Sequence, residues 1–372
     1  MIKEKTVLIL GAGASIDSGF PAGSKLIDLI IEDVCNNELQ YVAILSHYVV
    51  PRAYPLDSGY VKSLRMFKEN LEQARPASID VFLANNNTLL YKEIGKIAIG
   101  RIINSFEQNA VMYSPTRERI NNFLGTYGKR SDNWYDLVWK AIYDGCLGDL
   151  EVLQENLSKL LVITFNYDRS LEHYLYTATL GMFDQEHEAE ILKIYNNFKI
   201  FHVYGQVGFL PWQKTKIQHF LQNTEKDNLT ERKISQEYNQ IDKNKNLEIQ
   251  YNISKLLCTY NEYKVSDIER KVLSLNMFKY SDLREEILDS KNIFVFGFGF
   301  HQQNLEVLKP IFYREINSSK KISYLGGTTF GMGNTEFTSA ISSMKSTWGV
   351  NAPENTFPDI EIKDFFKANK TF

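Results

Sequence analysis

At 372 residues the chain exceeds the ~100–200 residues of an ordinary domain, which predicts one large domain with insertions, or two interlocked ones, around a substantial core. Its 42 Lys plus Arg against 45 Asp plus Glu leave a net charge of −3, so no basic field steers it to direct nucleic-acid binding. Cys35, Cys146 and Cys258 form no CxxC pair, no run of ~18 apolar residues suits a membrane, and the apolar stretch near the N-terminus is too short for a signal peptide; the expectation is a cytoplasmic protein without a zinc ribbon or disulfide framework.

In chain order, five apolar runs rich in β-branched and aromatic residues read as buried parallel strands. "TVLIL" from Thr6 ends in Gly11-Ala12-Gly13, where glycines permit a sharp turn and close backbone approach of a phosphate. A dinucleotide fingerprint would place a third Gly where Ile16 stands and a strand-end acid further on. Asp28, Glu32 and Asp33 fall near that distance but inside "SKLIDLIIEDV", which has helical periodicity. The long interval before the next strand reads as mostly helical, with "SLRMFKENLEQA" from Ser63 and "IDVFLANNNTLLYKEIGKIAIGRIINSFEQ" from Ile79. A βαβ crossover needs only about 30 residues, so this interval predicts an inserted helical subdomain.

"KLLVITF" from Lys159 leads into Asn166-Tyr167-Asp168, alternate positions that can point the same way. Asp168 also suits capping of the helix that "RSLEHYLY" begins. "FKIFHVYG" from Phe198 carries His202, placed by alternation on the same face as Tyr204; a satisfied core histidine is the plainer reading. The polar stretch 222–250 reads as a solvated helical insertion, with a partner-binding surface or a mobile lid as the alternatives. "NIFVFGFG" from Asn292 ends at Gly297 and Gly299, with Phe300, His301 and Asn304 beyond. "KISYLGG" from Lys321 ends at Gly326 and Gly327. In open α/β sheets ligands sit outside the carboxyl ends of the strands, so these ends should converge on one crevice.

"GAGASIDSGFP" resembles the sirtuin opening motif that surrounds the phosphates and ribose of NAD. "VITFNYDRSLE" resembles the sirtuin Thr-Gln-Asn-x-Asp, with Phe165 in place of Gln. The third strand matches a His-x-Tyr-Gly version of the family's catalytic strand end, and "FGFGFHQQN" is similar to its Gly-x-Ser region, with Phe300 where Ser is usual. The two-CxxC zinc module of the deacylating sirtuins is missing. The plan looks instead like the sirtuin-like NAD hydrolases of bacterial anti-phage defence, a group in which Ser-Ile-Asp-x-Phe-Leu, here from Ser78, also recurs. Ser78 or Asp80 as a helix cap is the bland account of that stretch.

The resemblance implies an α/β fold: a Rossmann-like parallel sheet of about six strands with helices on both faces and large helical insertions. The core would comprise 1–35, 155–212 and 285–340, with a helical insertion at 36–154, a second at 213–284 and a C-terminal tail at 341–372. It implies cleavage of the nicotinamide–ribose bond of NAD, without a metal, to nicotinamide and ADP-ribose. Asn166 would orient ribose and water, His202 would be the general base, and Asp168 would position the ribose or the base. NAD contacts would come from Gly11, Ala12, Gly13, Ala14, Ser15, Ser18, Thr164, Gly297, Gly299, Phe300, Asn304 and Gly327. Control would come from homo-oligomerisation and a HerA-type ring ATPase partner. A catalytically silent NAD or ADP-ribose module and an NAD-dependent protein deacylase are the alternatives.

Overall fold

The computed structural model describes residues 2–49, 58–86, 88–109, 133–210, 212–213, 254, 257, 280–312, 322–329, 331–349 and 354–368. The polar stretch 222–250 and Cys258, and with them most of the second expected insertion, lie outside the described residues.

The apolar runs form strands β1 (Thr6–Leu10), β2 (Leu160–Thr164), β3 (Ile200–His202), β4 (Asn292–Phe296) and β5 (Tyr324–Gly327). A sixth, β6 (Glu354–Thr356), comes from the segment read as a tail. All neighbours pair in parallel, in the order β3-β2-β1-β4-β5-β6. Every residue of β1, β2 and β4 is buried, as a parallel sheet flanked by helices requires. This is a Rossmann-like α/β fold, with the strand order of dinucleotide-binding sheets and its reversal between β1 and β4. Leu10 stands in register with Thr164 and Phe296, and Thr164 with His202. The loops that follow these four residues therefore leave the sheet along one edge.

β3 is shorter than the apolar run suggests. The Gly205 amide donates to the His202 carbonyl at 3.2 Å, and Gly205 has a φ of 79°. The chain turns at Val203–Tyr204, so the two-residue alternation expected to place His202 and Tyr204 together stops there.

Helices α1 (Gly23–Asn36), α2 (Glu38–Ile44), α3 (Ser58–Ala74), α4 (Ile79–Asn85), α5 (Leu89–Asn109), α6 (Tyr135–Tyr143) and α7 (Leu150–Ser158) fill the interval between β1 and β2. α1 packs against α3, α4 and α5, so the inserted helices share the core rather than standing apart from it. Asp33 lies within α1 and pairs with Arg101 of α5 at 2.8 Å, which gives that acid a structural use. At α4, Ser78 is the N-cap and its hydroxyl accepts from the Val81 amide at 3.3 Å.

Beyond β2 come α8 (Ser170–Met182) and α9 (Glu188–Asn196), then α10 (Tyr280–Asp289) before β4, α11 (Gln302–Phe312) after it, α12 (Asn334–Trp348) and α13 (Ile362–Ala368). Alternation along β4 puts Phe294 and Phe296 on one face. There α13 covers them, with Phe365 5.9 and 5.4 Å from their ring centroids and Phe366 5.2 Å from Phe296. Phe366 also stacks on Trp134, whose indole N–H donates to the Ala14 carbonyl at 2.8 Å. The C-terminal segment thus closes the aromatic core that backs the glycine loop.

Candidate active site

A cavity of about 260 Å³ opens where the strand order reverses. Its lining comes from the loop after β1 (Gly11, Ala12, Gly13, Ser15), the start of α1, the loop after β2 (Phe165–Asp168), Tyr204, the loop after β4 (Gly297–Gly299), His301 and Asn304. The insertion supplies a further wall, with Ala77–Asp80 at the start of α4 and Ile103 of α5.

The glycines serve packing as well as approach. Gly297 has a φ of 57°, and a Cβ there would lie 2.0 Å from the Ala14 nitrogen. A Cβ on Gly13 would come within 2.8 Å of the Gly297 Cα, and the Gly13 amide donates to the Gly297 carbonyl at 3.0 Å. The two strand-end loops lie backbone to backbone, and this contact forms one side of the cavity. The residues after Gly11 form a short 3₁₀ helix, Ala12–Ser18, where the sequence suggests the start of a regular helix.

Behind the cavity runs a buried polar network. The Asn166 amide donates to Thr164 Oγ1 at 3.0 Å, and its Nδ2 donates to Ser15 Oγ at 2.8 Å. Asn166 Oδ1 is buried and has no hydrogen-bond partner, a state that costs ~1–3 kcal/mol in a finished core and suits a ligand donor. Asp168 accepts from the Ser170 amide at 3.1 Å and from its hydroxyl, which also meets Tyr135 Oη at 2.7 Å. The local, capping-type bond expected of Asp168 is therefore present. Burial raises the Asp168 pKa above the usual carboxylate range, while hydrogen bonds from Ser170 and Ser15 oppose the rise. Burial, and then the Asp168 charge, raise that of Tyr135.

Asp80 is the second carboxylate on the wall. The Tyr167 hydroxyl donates to it. Burial pushes its pKa up to about 6, with the Tyr167 bond holding it down. Burial lowers the pKa of His301, with Glu336 opposing. Among the described residues no lysine or arginine lines the cavity, and no group of three or more His, Cys, Asp or Glu is placed to hold a metal ion.

The loop carrying Asn166 and Asp168 is clamped from behind. Glu107 of α5 takes Arg169 Nη2 at 2.6 Å, Nε at 3.2 Å and the backbone amide at 3.1 Å, with both side chains at most 2% exposed. The positive charge beside Glu107 opposes the rise in its pKa that burial causes.

His202, expected as the base, does not reach the cavity. It is 1% exposed, with Nδ1 3.1 Å from the Asn166 carbonyl and Nε2 3.1 Å from Glu172 Oε1. The turn after β3 presents Tyr204 instead, whose hydroxyl donates to Asn304 Oδ1 at 2.8 Å. His202 therefore holds the Asn166 turn from beneath. Five other expected contacts also lie away from the lining. Ala14 is occupied with Trp134, and Ser18 is buried beside Asn133 Nδ2 at 3.4 Å. Thr164 supports Asn166. Phe300 is buried among aromatic rings, and at Gly327 a Cβ would meet the Val295 carbonyl at 2.0 Å, so that glycine serves strand packing.

Lining residues with no role assigned from the sequence include Phe165 and Phe298, whose rings are 5.1 Å apart, and Tyr167, all three within the quoted motifs, together with Ile103 of the insertion. Phe165 and Tyr167 flank Asn166 and could have been read from that adjacency, whereas Phe298 and Ile103 meet them only through the tertiary fold. Comparison with family models, curated proteins and solved structures found no match for this chain.

Proposed function

We propose that the protein hydrolyses NAD at the bond between nicotinamide and ribose. The observation that carries this reading is the cavity at the sheet's reversal point, walled by Asp80 and Asp168 without a lysine or arginine among the described residues, beside the unpartnered Asn166 Oδ1. An acidic, cation-free wall favours a positively charged group. NAD brings one in its pyridinium ring, and the charge passes to the ribose as an oxocarbenium ion when nicotinamide leaves. Asn166 would accept from a ribose hydroxyl, Asp168 would stabilise the developing positive charge, and the exposed Ala12 in the loop after β1 would face the phosphates. The sirtuin-like order of motifs supports the same assignment. Control of so costly a reaction we assign, on that resemblance alone, to self-assembly and a HerA-type ring ATPase.

Chromatography after incubation with NAD tests this. Nicotinamide and ADP-ribose should form without any acyl-lysine peptide, and Asn166→Ala should lower turnover by ~100–1,000-fold, the usual effect of one lost transition-state hydrogen bond. The withdrawal of His202 from the cavity favours a second reading, a silent nucleotide-binding module. Recovery of intact NAD with retained binding, with the neighbouring ring ATPase present as well as absent, would establish that one in place of the hydrolase.

A further inference from the structure

We propose that Asp80, carried by the helical insertion, is the base that takes the proton of the attacking water, with Tyr167 as the residue that positions it. This deepens the NAD hydrolase reading and rests on it. Three observations lead here. Asp80 lines the same cavity as Asn166 and Asp168, although it comes from another part of the chain. The Tyr167 hydroxyl, in the loop between Asn166 and Asp168, donates to its Oδ1. Ser78 supplies the side-chain cap of α4, and the Asp80 carboxylate, in the first turn of that helix, takes its own backbone amide while still accepting from Tyr167.

The other groups on the wall suit the task less well. Asp168 accepts the amide and the hydroxyl of Ser170 and is held by Ser15 as well, one acceptor bond more than Asp80 has, and His202 is engaged through both ring nitrogens outside the lining. Among the described residues, the titratable side chains that share the cavity with Asp80 are Asp168, Tyr167, Tyr204 and His301, and Gln303 Nε2 donates to the Asp80 carbonyl at 3.5 Å. Burial keeps Asp80 near the pH at which a base is both ionised and strong enough to accept a proton.

In the step itself, a lone pair of the water oxygen forms the bond to ribose C1′ as the C1′–N bond breaks. The pair from that bond goes to the nicotinamide nitrogen and neutralises the ring. The water proton passes to the Asp80 carboxylate and then to solvent. One NAD cation and one water give nicotinamide, ADP-ribose and a proton.

The test is the pH profile of NAD hydrolysis by the full-length protein and by Asp80→Asn and Tyr167→Phe, with ADP-ribose binding measured by calorimetry. The wild type should lose turnover as pH falls through about 6. Asp80→Asn should lose ~100–10,000-fold in kcat, keep ADP-ribose affinity and lack the acid limb. Tyr167→Phe should move the limb to higher pH, because the bond that holds the Asp80 pKa down is gone. Wild-type kcat with an intact acid limb in Asp80→Asn overturns the assignment and moves the base to His301. Should Asp80→Asn fail to fold, an unmoved limb in Tyr167→Phe overturns it equally. A wild type that binds NAD but releases no nicotinamide, both alone and with the neighbouring ring ATPase added, overturns the hydrolase reading itself, an outcome distinct from loss of the Asp80 assignment alone.

Discussion

Replacing Asp80 by Asn removes a charge that the folded protein holds at a cost. The pKa of Asp80 rises from 3.8 to about 6 on folding, so the fold favours the protonated form. The sign follows directly: the stabilising contribution is full below about 4, and it is lost as pH rises through about 6. Two units at ~1.4 kcal/mol each set an upper bound of ~3 kcal/mol. Asp80 is only partly buried, and solvent screening leaves roughly 1–2 kcal/mol. Asn keeps an oxygen that accepts from Tyr167, so the comparison isolates the charge. Urea unfolding of both proteins at several pH values reads the difference. The two should match near pH ~4, and Asp80→Asn should be more stable by roughly 1–2 kcal/mol above pH ~7. A stability difference that does not change with pH would refute the reasoning.

Gly297→Ala should destabilise by roughly 2–5 kcal/mol, adding a left-handed backbone at ~1–2 to overpacking at ~1–3, because its Cβ falls 2.0 Å from the Ala14 nitrogen; a melting temperature equal to wild type would contradict the loop contact. Glu107→Ala leaves Arg169 buried beside the Asn166–Asp168 turn and should cost ~3–5 kcal/mol, measured by denaturant unfolding. Loss of NAD binding should accompany it, since the turn loses its anchor at the Arg169 amide.

The strands were legible because a parallel strand is buried on both faces and must be written as a continuous apolar run, as "TVLIL" and "NIFVF" are. The convergence of Gly11, Asn166 and Gly297 on one edge followed from those strands being parallel, and the register bears it out. β6 was not legible: at three residues, "ENT" carries no apolar pattern, and it becomes a strand only because the edge of β5 is there to pair with. His202 and Tyr204 were indistinguishable under strict alternation, and the turn at Val203–Tyr204 decided which one reaches the cavity.

The amino-acid sequence alone determined that the five apolar runs become strands and which loops leave their ends, because burial and glycine chemistry are written locally. Only the tertiary structure decided that Asp80 meets Tyr167 across 87 positions of chain and that Glu107 reaches Arg169. The packing of α4 and α5 against α1 makes both contacts. No local pattern encodes them, since each exists only when two distant surfaces have been buried against each other.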